Sequence, residues 1–339
     1  MIYAKKRSAP VSYWKEWDII DGEKVETFVA ILRTSGCYWA RKKGCFMCGY
    51  NIESDPRIDI HDIHAQIDEL KEAYSNEEYV KIYTSGSFLD PIEVPVTSRA
   101  EIFETFSDAR RILIESRPEF ITDENISNLQ VTRLEIAMGL ESAFDSTLEK
   151  CVNKGFTVAE YERAARYLNE RGIPLRTYLL LKPPFLNESA AILDTVESAV
   201  FASRFSESIS INPVNVQKGT LVEVLWKRGD YRPPWLWSLV TVLSNVEIRK
   251  GVRIFSAPTG AGTLRGAHNC LKCDRVVLDA VKRHAFNQDP NEFYALDCSC
   301  KNNWKAQLEF GCIAGSSVNI ERYIEYEMDN ENTFSICGD

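Results

Sequence analysis

The sequence predicts an α/β fold in which six strand–helix units build a full or partial parallel barrel, followed by a small cysteine-rich C-terminal domain. Three observations predict it. Strand and helix patterns alternate between residues 26 and 216, and such alternation gives a parallel sheet with right-handed crossovers. Five strand patterns end in polar or Gly/Pro-rich stretches: TSGS (84–87), ESRP (115–118), GLES (139–142), KPP (182–184) and NPVNV (212–216). In a barrel such ends meet at one mouth, where chemistry is done. No G-x-G-x-x-G follows the first strand, which delivers Cys37 instead, so a dinucleotide fold lacks its phosphate turn.

The elements follow in order. ETFVAILRTSG (26–36) is β-rich and runs into the first cysteine. IDIHDIHAQIDELKEAY (58–74) sets Ile60, Ile63, Ile67, Leu70 and Tyr74 on one helical stripe. YVKIYTSGSFLD (79–90) reads as a strand with a small-residue loop, and a helix pattern covers 97–109. RRILIESRP (110–118) is a strand stopped by proline, and RLEIAMGLES (133–142) is the next strand. TVAEYERAARYLNERG (157–172) carries a capping-box pair, Thr157 and Glu160, and a terminal glycine. PLRTYLLLKPPF (174–185) is a strand, NESAAILDTVESAVFASRF (187–205) its helix, and SISINPVNV (208–216) the sixth strand. The domain reading is an N-terminal extension at 1–24, the barrel at 25–255 and a C-terminal domain at 256–339.

At 339 residues with 45 % apolar and 26 % charged side chains, the chain can bury a sizeable core and is not disordered in composition. No apolar run reaches the roughly 18 residues of a membrane span, and the N-terminus has no signal-peptide core. A cytoplasmic location with no membrane partner is therefore expected. There thiols stay reduced, so ten cysteines point to metal or catalysis before disulfides. The net charge of −9 does not favour nucleic acid overall. The stretch 249–275 is nonetheless basic, and Arg249, Lys250, Arg253 and Arg265 are candidate tRNA contacts.

Cys37, Cys45 and Cys48 are three thiols within twelve residues. Three thiolates can hold a 4Fe–4S cluster and leave one iron open, whereas an electron-transfer ferredoxin closes its cluster with four. A zinc site would need a fourth ligand, and His61 and His64 sit on the polar side of a helix, expected to face solvent. Arg41-Lys42-Lys43, inside this loop, either approaches phosphates or balances the thiolates.

Three cysteines after the first strand of a β/α barrel resemble the radical SAM superfamily, in a variant with seven residues in the first gap instead of the commonest three. TSGSFLD, IESRPEFIT and MGLES resemble the strand ends of the branch that contains the Elongator catalytic subunit. The resemblance covers roughly residues 25–255. It implies a radical SAM (β/α)6 partial barrel holding a 4Fe–4S cluster and S-adenosyl-L-methionine (SAM). The SAM contacts it implies are Met47, Ser85, Gly86, Ser87, Glu115, Arg117 and Glu141. The family's aromatic residue before the last cysteine is replaced here by Met47. Arg176, Lys182, Asn212, Asn215 and Gln217 are candidate substrate contacts at the mouth.

With NVQKGTLVEVLWKRGDYRPPWLW (215–237) included, the whole chain most resembles the archaeal radical SAM subunit of archaeosine synthase. That family is a tRNA-modifying lyase. It acts after a partner subunit has attached lysine to 7-cyano-7-deazaguanine in the D-arm, and it needs a ferredoxin- or flavodoxin-type electron donor. The alternatives are another radical SAM RNA-modifying enzyme or a radical SAM enzyme of a small molecule.

Cys270-x2-Cys273 and Cys298-x-Cys300 supply four thiolates, enough for a structural Zn2+, with His268 or Cys312 as alternative ligands. Trp226, Trp235 and Trp237 with Arg228 and Arg232 form either a base-stacking platform or ordinary packing. Cys151 is expected to be a buried small hydrophobe.

Overall fold

A computed structural model describes residues 7–127 and 129–310. The acidic tail, Cys312 and Cys337 lie outside the described residues. β1 (Ser12–Ile20) and β2 (Glu23–Ile31) form an antiparallel hairpin. Its turn is Asp21-Gly22, both at positive φ (51° and 84°), the arrangement that suits Asp-Gly between twisted strands. From β2 onward the pairing is parallel: β2 with β3 (Tyr79–Tyr83), β3 with β4 (Arg111–Glu115), and β4 with β5 (Leu134–Glu141). β6 (Leu175–Leu181) follows, and β7 (Ser208–Pro213) pairs in parallel with β8 (Arg253–Phe255). The strand order in the sheet is the order in the sequence.

The expected crossover helices are α1 (Ile60–Ala73), α2 (Val96–Thr105), α3 (Val158–Glu170) and α4 (Glu188–Ala202). α1 starts at Asp59, whose carboxylate caps the amides of His61 and Asp62 in a capping box, and it buries Ile63, Ile67 and Leu70. Further helices follow the expected strands: α5 (Leu221–Arg228), α6 (Leu236–Asn245), α7 (Asp274–Asn287) and α8 (Lys301–Phe310). No helix among the described residues is long and apolar enough to cross a membrane.

Two compact units make up the chain. The first comprises the described residues up to Lys42, Tyr50–Gly139 and Ala159–Arg176. The second comprises Lys43–Gly49, Leu140–Val158 and the described residues from Thr177 onward.

In the first unit, apolar residues of β2–β5 such as Phe28, Ile82, Ile112, Ile114 and Ile136 are fully buried. Beside them lies a buried lattice of charges near the beginnings of the strands. Lys81 Nζ sits 2.7 Å from Asp18 and 2.6 Å from Glu16. Arg176 reaches Asp18 at 3.1 Å and Glu135 at 3.3 Å, and Tyr79 donates its hydroxyl to Glu135 at 2.8 Å. Arg176 is therefore not a substrate contact at the strands' C-terminal ends. It is the second residue of β6, and its guanidinium neutralises two buried carboxylates. Removing one partner of such a lattice leaves charge buried without compensation. Arg176→Ala is expected to destabilise the protein by roughly 3–5 kcal/mol, read as a lower midpoint in urea unfolding.

In the second unit, α6 buries Leu236, Trp237, Leu239 and Val242, and α7 buries Val277, Ala280 and Val281. Trp235 and Trp237 are packing residues: both are buried, and the Trp235 indole donates to Gln307 at 2.6 Å. Arg232 stacks on Trp235 with 3.9 Å to the ring centre and donates to the His268 carbonyl at 2.8 Å. Cys151 is buried too, and burial pushes its thiol up to about 12.

Candidate active site and metal centre

The first unit presents Cys37 six residues beyond β2, in a loop that starts at Gly36 (φ 95°). The loop after β3 packs directly on this cysteine: a Cβ built on Gly86 would lie 2.6 Å from Cys37 Cβ and 2.7 Å from Glu93 Oε2. Only glycine fits there. Glu93 is buried and organises both loops, accepting from Thr34 Oγ1 at 2.8 Å, Gly86 N at 2.9 Å and Ser87 N at 2.7 Å. Burial pushes its carboxyl up, against the hydrogen bonds from Ser87, Thr34 and Gly86. Thr34 Oγ1 in turn accepts from Gly36 N at 3.2 Å.

The loop is tied onward to β4. Ser87 Oγ accepts from Arg117 N at 2.9 Å, and Phe88 N donates to the Glu115 carbonyl at 2.8 Å. Ser85 Oγ lies 2.7 Å from Ser54 Oγ. Ser87, Glu115 and Arg117 are thus joined by hydrogen bonds, and Cys37 packs against Gly86 of the same loop. The Arg117 guanidinium bonds Glu119 at 2.7 Å and stands over the rings of Tyr38 and Trp39. Tyr38 also bonds Glu119, and burial together with that carboxylate pushes its hydroxyl up to about 12. In the cysteine loop, Arg41 donates to the carbonyls of Ser35 and Gly36 at 3.0 and 3.1 Å. Lys42 stands over Tyr38. His61 is exposed and His64 pairs with Glu101 at 3.1 Å.

Gly86→Ala follows as a test of this packing. The added methyl must push back Cys37 or break the Glu93 bonds. Iron retained after anaerobic reconstitution is expected to fall at least about fivefold, a change of order 1 kcal/mol for one overpacked methyl.

The second unit holds Cys45 and Cys48 in one tight turn, with Cys48 N donating to the Cys45 carbonyl at 3.1 Å. Phe46 N donates to the Val152 carbonyl at 3.0 Å, and Val222 N to the Phe46 carbonyl at 3.3 Å. Between the cysteines, Met47 is 8 % exposed and packs with Val152, Val214, Val216, Val222, Leu225 and Tyr231. In this packing the thioether anchors the turn in the apolar core. Gln217 braces the same turn: its Oε1 accepts from Gly49 N at 2.6 Å and its Nε2 donates to Asn215 Oδ1 at 3.2 Å. Asn212 accepts from Ser210 Oγ at 3.0 Å.

Two non-glycine residues at strand ends adopt left-handed backbone: Glu141 (φ 70°), the last residue of β5, and Lys182 (φ 61°), just past β6. Such strain gathers at functional positions. Glu141 is paired with Lys154 at 2.7 Å. Lys182 is buried against Glu188 at 2.7 Å, and its carbonyl accepts from Tyr231 at 2.8 Å. The Lys182 charge is thus neutralised inside the protein.

The C-terminal cysteines converge. The Sγ atoms of Cys270, Cys273, Cys298 and Cys300 all lie within 4.8 Å of one another. The separations are 3.7 Å for Cys270–Cys273, 3.8 Å for Cys270–Cys298 and 3.7 Å for Cys273–Cys300. A tetrahedron with metal–sulfur bonds of about 2.3 Å has edges of about 3.8 Å, so the four thiols fit a closed tetrahedral centre. Asp274 caps the knuckle, accepting from Asn269 N at 3.0 Å and Leu271 N at 2.8 Å. The Trp237 indole donates to Cys300 at 3.3 Å. Backbone amides of Cys273 and Lys272 draw the Cys270 thiol down to about 6. His268, an alternative ligand, instead places Nδ1 2.8 Å from the Gly266 carbonyl.

Of the basic residues, Arg249 and Lys250 are exposed and precede β8, where the strands begin. Arg253 donates to the Ala285 carbonyl at 3.3 Å, and Arg265 bonds Val216 and Glu223 at 3.0 and 2.7 Å. Their guanidinium groups are engaged within the protein, which the charge pattern alone does not reveal. Sequence reasoning also missed Glu93. A lone acid after Asp90-Pro91-Ile92 looks like a surface residue until its three donors are seen.

No family model matches the chain. It is similar to archaeosine synthase subunit beta of Methanosarcina acetivorans, 38 % identical over 312 residues that span 88 % of this chain and 90 % of that protein. The protein of the same name from Thermococcus kodakarensis is 37 % identical over 319 residues, spanning 89 % of this chain and 98 % of its own. Among solved structures, the Elp3 of Methanocaldococcus infernus aligns over 76 % of this chain and 64 % of its own. The identity there is 16 % and the TM-score 0.49.

Proposed function

Because the chain belongs to the archaeosine synthase subunit beta family, we propose that it is a radical SAM enzyme of tRNA archaeosine formation. Its reaction is cleavage of a carbon–nitrogen bond in the lysine adduct of 7-cyano-7-deazaguanine. The observation that carries the reading is the identity of 38 % over nine-tenths of the relative, and the packing of Gly86 on Cys37 agrees with it. When bound, a 4Fe–4S cluster and SAM supply the one-electron chemistry that starts hydrogen abstraction from an unactivated carbon. Cys37, Cys45 and Cys48 are the thiolates for that cluster; the fit rests on their partial exposure.

The chain's own residues do the rest. Glu93 fixes the Ser85–Ser87 loop, which would take the amino end of SAM, while Glu115 and Glu141 would accept from its hydroxyls and Arg117 would offer positive charge toward its carboxylate. Asn212 and Asn215 remain the candidates for orienting substrate. Cys270, Cys273, Cys298 and Cys300 hold a structural Zn2+, supported by their tetrahedral sulfur spacing. The partners are the lysine-transferring subunit, tRNA and a small electron-transfer protein. For tRNA, Arg249 and Lys250 are the cations of the basic stretch on which this reading rests.

Mass spectrometry of tRNA nucleosides from cells lacking the gene tests the reading directly. Archaeosine should vanish and its lysine adduct accumulate. Equal turnover of the isolated lysine-modified nucleoside and of modified tRNA would instead identify a small-molecule enzyme. An unchanged archaeosine level would reject the proposal.

A further inference from the structure

The turn bearing Cys45 and Cys48 is held at its two ends by side-chain amides of opposite polarity. At its start, Asn153 Nδ2 donates to the Gly44 carbonyl at 2.7 Å. At its end, Gln217 Oε1 accepts from Gly49 N at 2.6 Å. Both grips are built sites. Gly44 has φ 70°, and Asn153 itself is left-handed (φ 56°), closing a π-helical turn at Leu148–Val152. Insertions of that kind are frequent at functional positions. A Cβ on Gly49 would come 2.9 Å from Gln217 Cβ, so the second grip is as tight as the first. Val152, the residue before Asn153, takes the Phe46 amide, and Lys154, the residue after it, pairs with Glu141. One short segment therefore fixes both the cysteine turn and a strained strand-end carboxylate.

We infer that Asn153 and Gln217 are positioning residues that set the geometry of the Cys45 and Cys48 thiolates for the cluster, Asn153 as an obligatory donor and Gln217 as an obligatory acceptor. This rests on reading those cysteines as cluster ligands. The polarity is fixed by the backbone partners, since a carbonyl can only accept and an amide N–H can only donate. The role predicts an asymmetry that plain packing does not. Asn153→Asp keeps size and tolerance of positive φ but turns a carboxylate oxygen onto the Gly44 carbonyl. Gln217→Glu keeps an acceptor on Gly49 N, so it should be silent at that grip. Gln217→Leu removes it.

The experiment compares the wild-type chain, Asn153→Asp, Asn153→Gly, Gln217→Glu and Gln217→Leu, each reconstituted anaerobically with iron and sulfide. Iron bound per chain and the rate of cluster loss on exposure to air are measured. Hydrogen exchange across residues 44–49 is followed in the cluster-free proteins. Asn153→Asp and Gln217→Leu should lose the cluster about tenfold faster, the effect of one missing hydrogen bond, and their 44–49 amides should exchange faster by a similar factor. Gln217→Glu, which keeps the acceptor for Gly49 N but loses the Nε2 donation to Asn215, should hold its cluster and its 44–49 amides clearly better than Gln217→Leu. Asn153→Gly, which keeps the left-handed backbone without the amide, should lie with Asn153→Asp and guards against a misfolded carboxylate variant. The inference is overturned if Asn153→Asp holds its cluster and its amides like wild type, or if Gln217→Glu falls with Gln217→Leu. If wild type itself binds no iron, the cluster reading fails along with it; variants indistinguishable from a loaded wild type sink the clamp alone.

Discussion

Changing Cys45 to alanine is expected to remove the cluster and all turnover together. Three thiolates are the fewest that anchor a 4Fe–4S cluster while leaving an iron open, so no protein ligand is redundant. The turn offers no substitute: Met47 is buried in the apolar core and its thioether is turned away from solvent. Cys151 is buried, with its thiol held protonated by desolvation. After anaerobic reconstitution the wild type should carry about four irons per chain and a brown absorbance, and the variant well under one. Cys37→Ala and Cys48→Ala should behave alike. Melting of the cluster-free variants should stay close to wild type, because the side chains removed are only partly buried. A Cys45→Ala protein that kept its iron would refute the assignment of the three cysteines.

The second large effect belongs to the C-terminal thiols. Cys270→Ser or Cys298→Ser should release zinc and unfold the region from His268 through α8. The magnitude follows from what metal contributes. Structural zinc in small domains supplies roughly 10–16 kcal/mol of apparent binding energy, large beside the few apolar side chains this region buries. Between the two cysteine pairs stand α7 and a short 3-10 turn at Pro290–Phe293. The remaining ties are the buried apolar side chains of Val277, Ala280, Val281, Phe293 and Trp304 and polar contacts such as the Trp304 indole to Ser238 at 2.9 Å. Metal analysis should give one zinc in wild type and almost none in the variants, and limited proteolysis should cut near 268–300 only in the variants. A chelator should reproduce both results. Full zinc loss with unchanged protease resistance would mean that the four thiols sit on an independently stable scaffold.

How much was legible in the sequence can be argued residue by residue. The six parallel strands were readable because apolar β-branched runs ending in Gly, Ser or Pro have one cheap structural solution. The convergence of the four C-terminal thiols was readable from two cysteine pairs, since thiols so placed have few other uses than a metal. β1 was not foreseen: in SYWKEWDII both faces mix charge with aromatic rings, so the period-two signal is blurred, although Asp21-Gly22 marks the hairpin. Arg176 was misassigned for a plain reason. A sequence shows that a residue stands near a strand end or a cysteine, but not which way its side chain turns. For Arg176 the deciding partner, Asp18, is 158 residues away.

The Glu93 carboxylate has a further consequence for the loop it holds. It takes the amide hydrogens of Gly86 and Ser87, and the next amide, Phe88, is claimed by the Glu115 carbonyl. Three successive N–H groups point inward. Loops that seize phosphates and carboxylates do so by aiming such groups outward. This one is wired in reverse: all three amides are already spent inside the protein. An anion that approached it would find none of these N–H groups left to receive it.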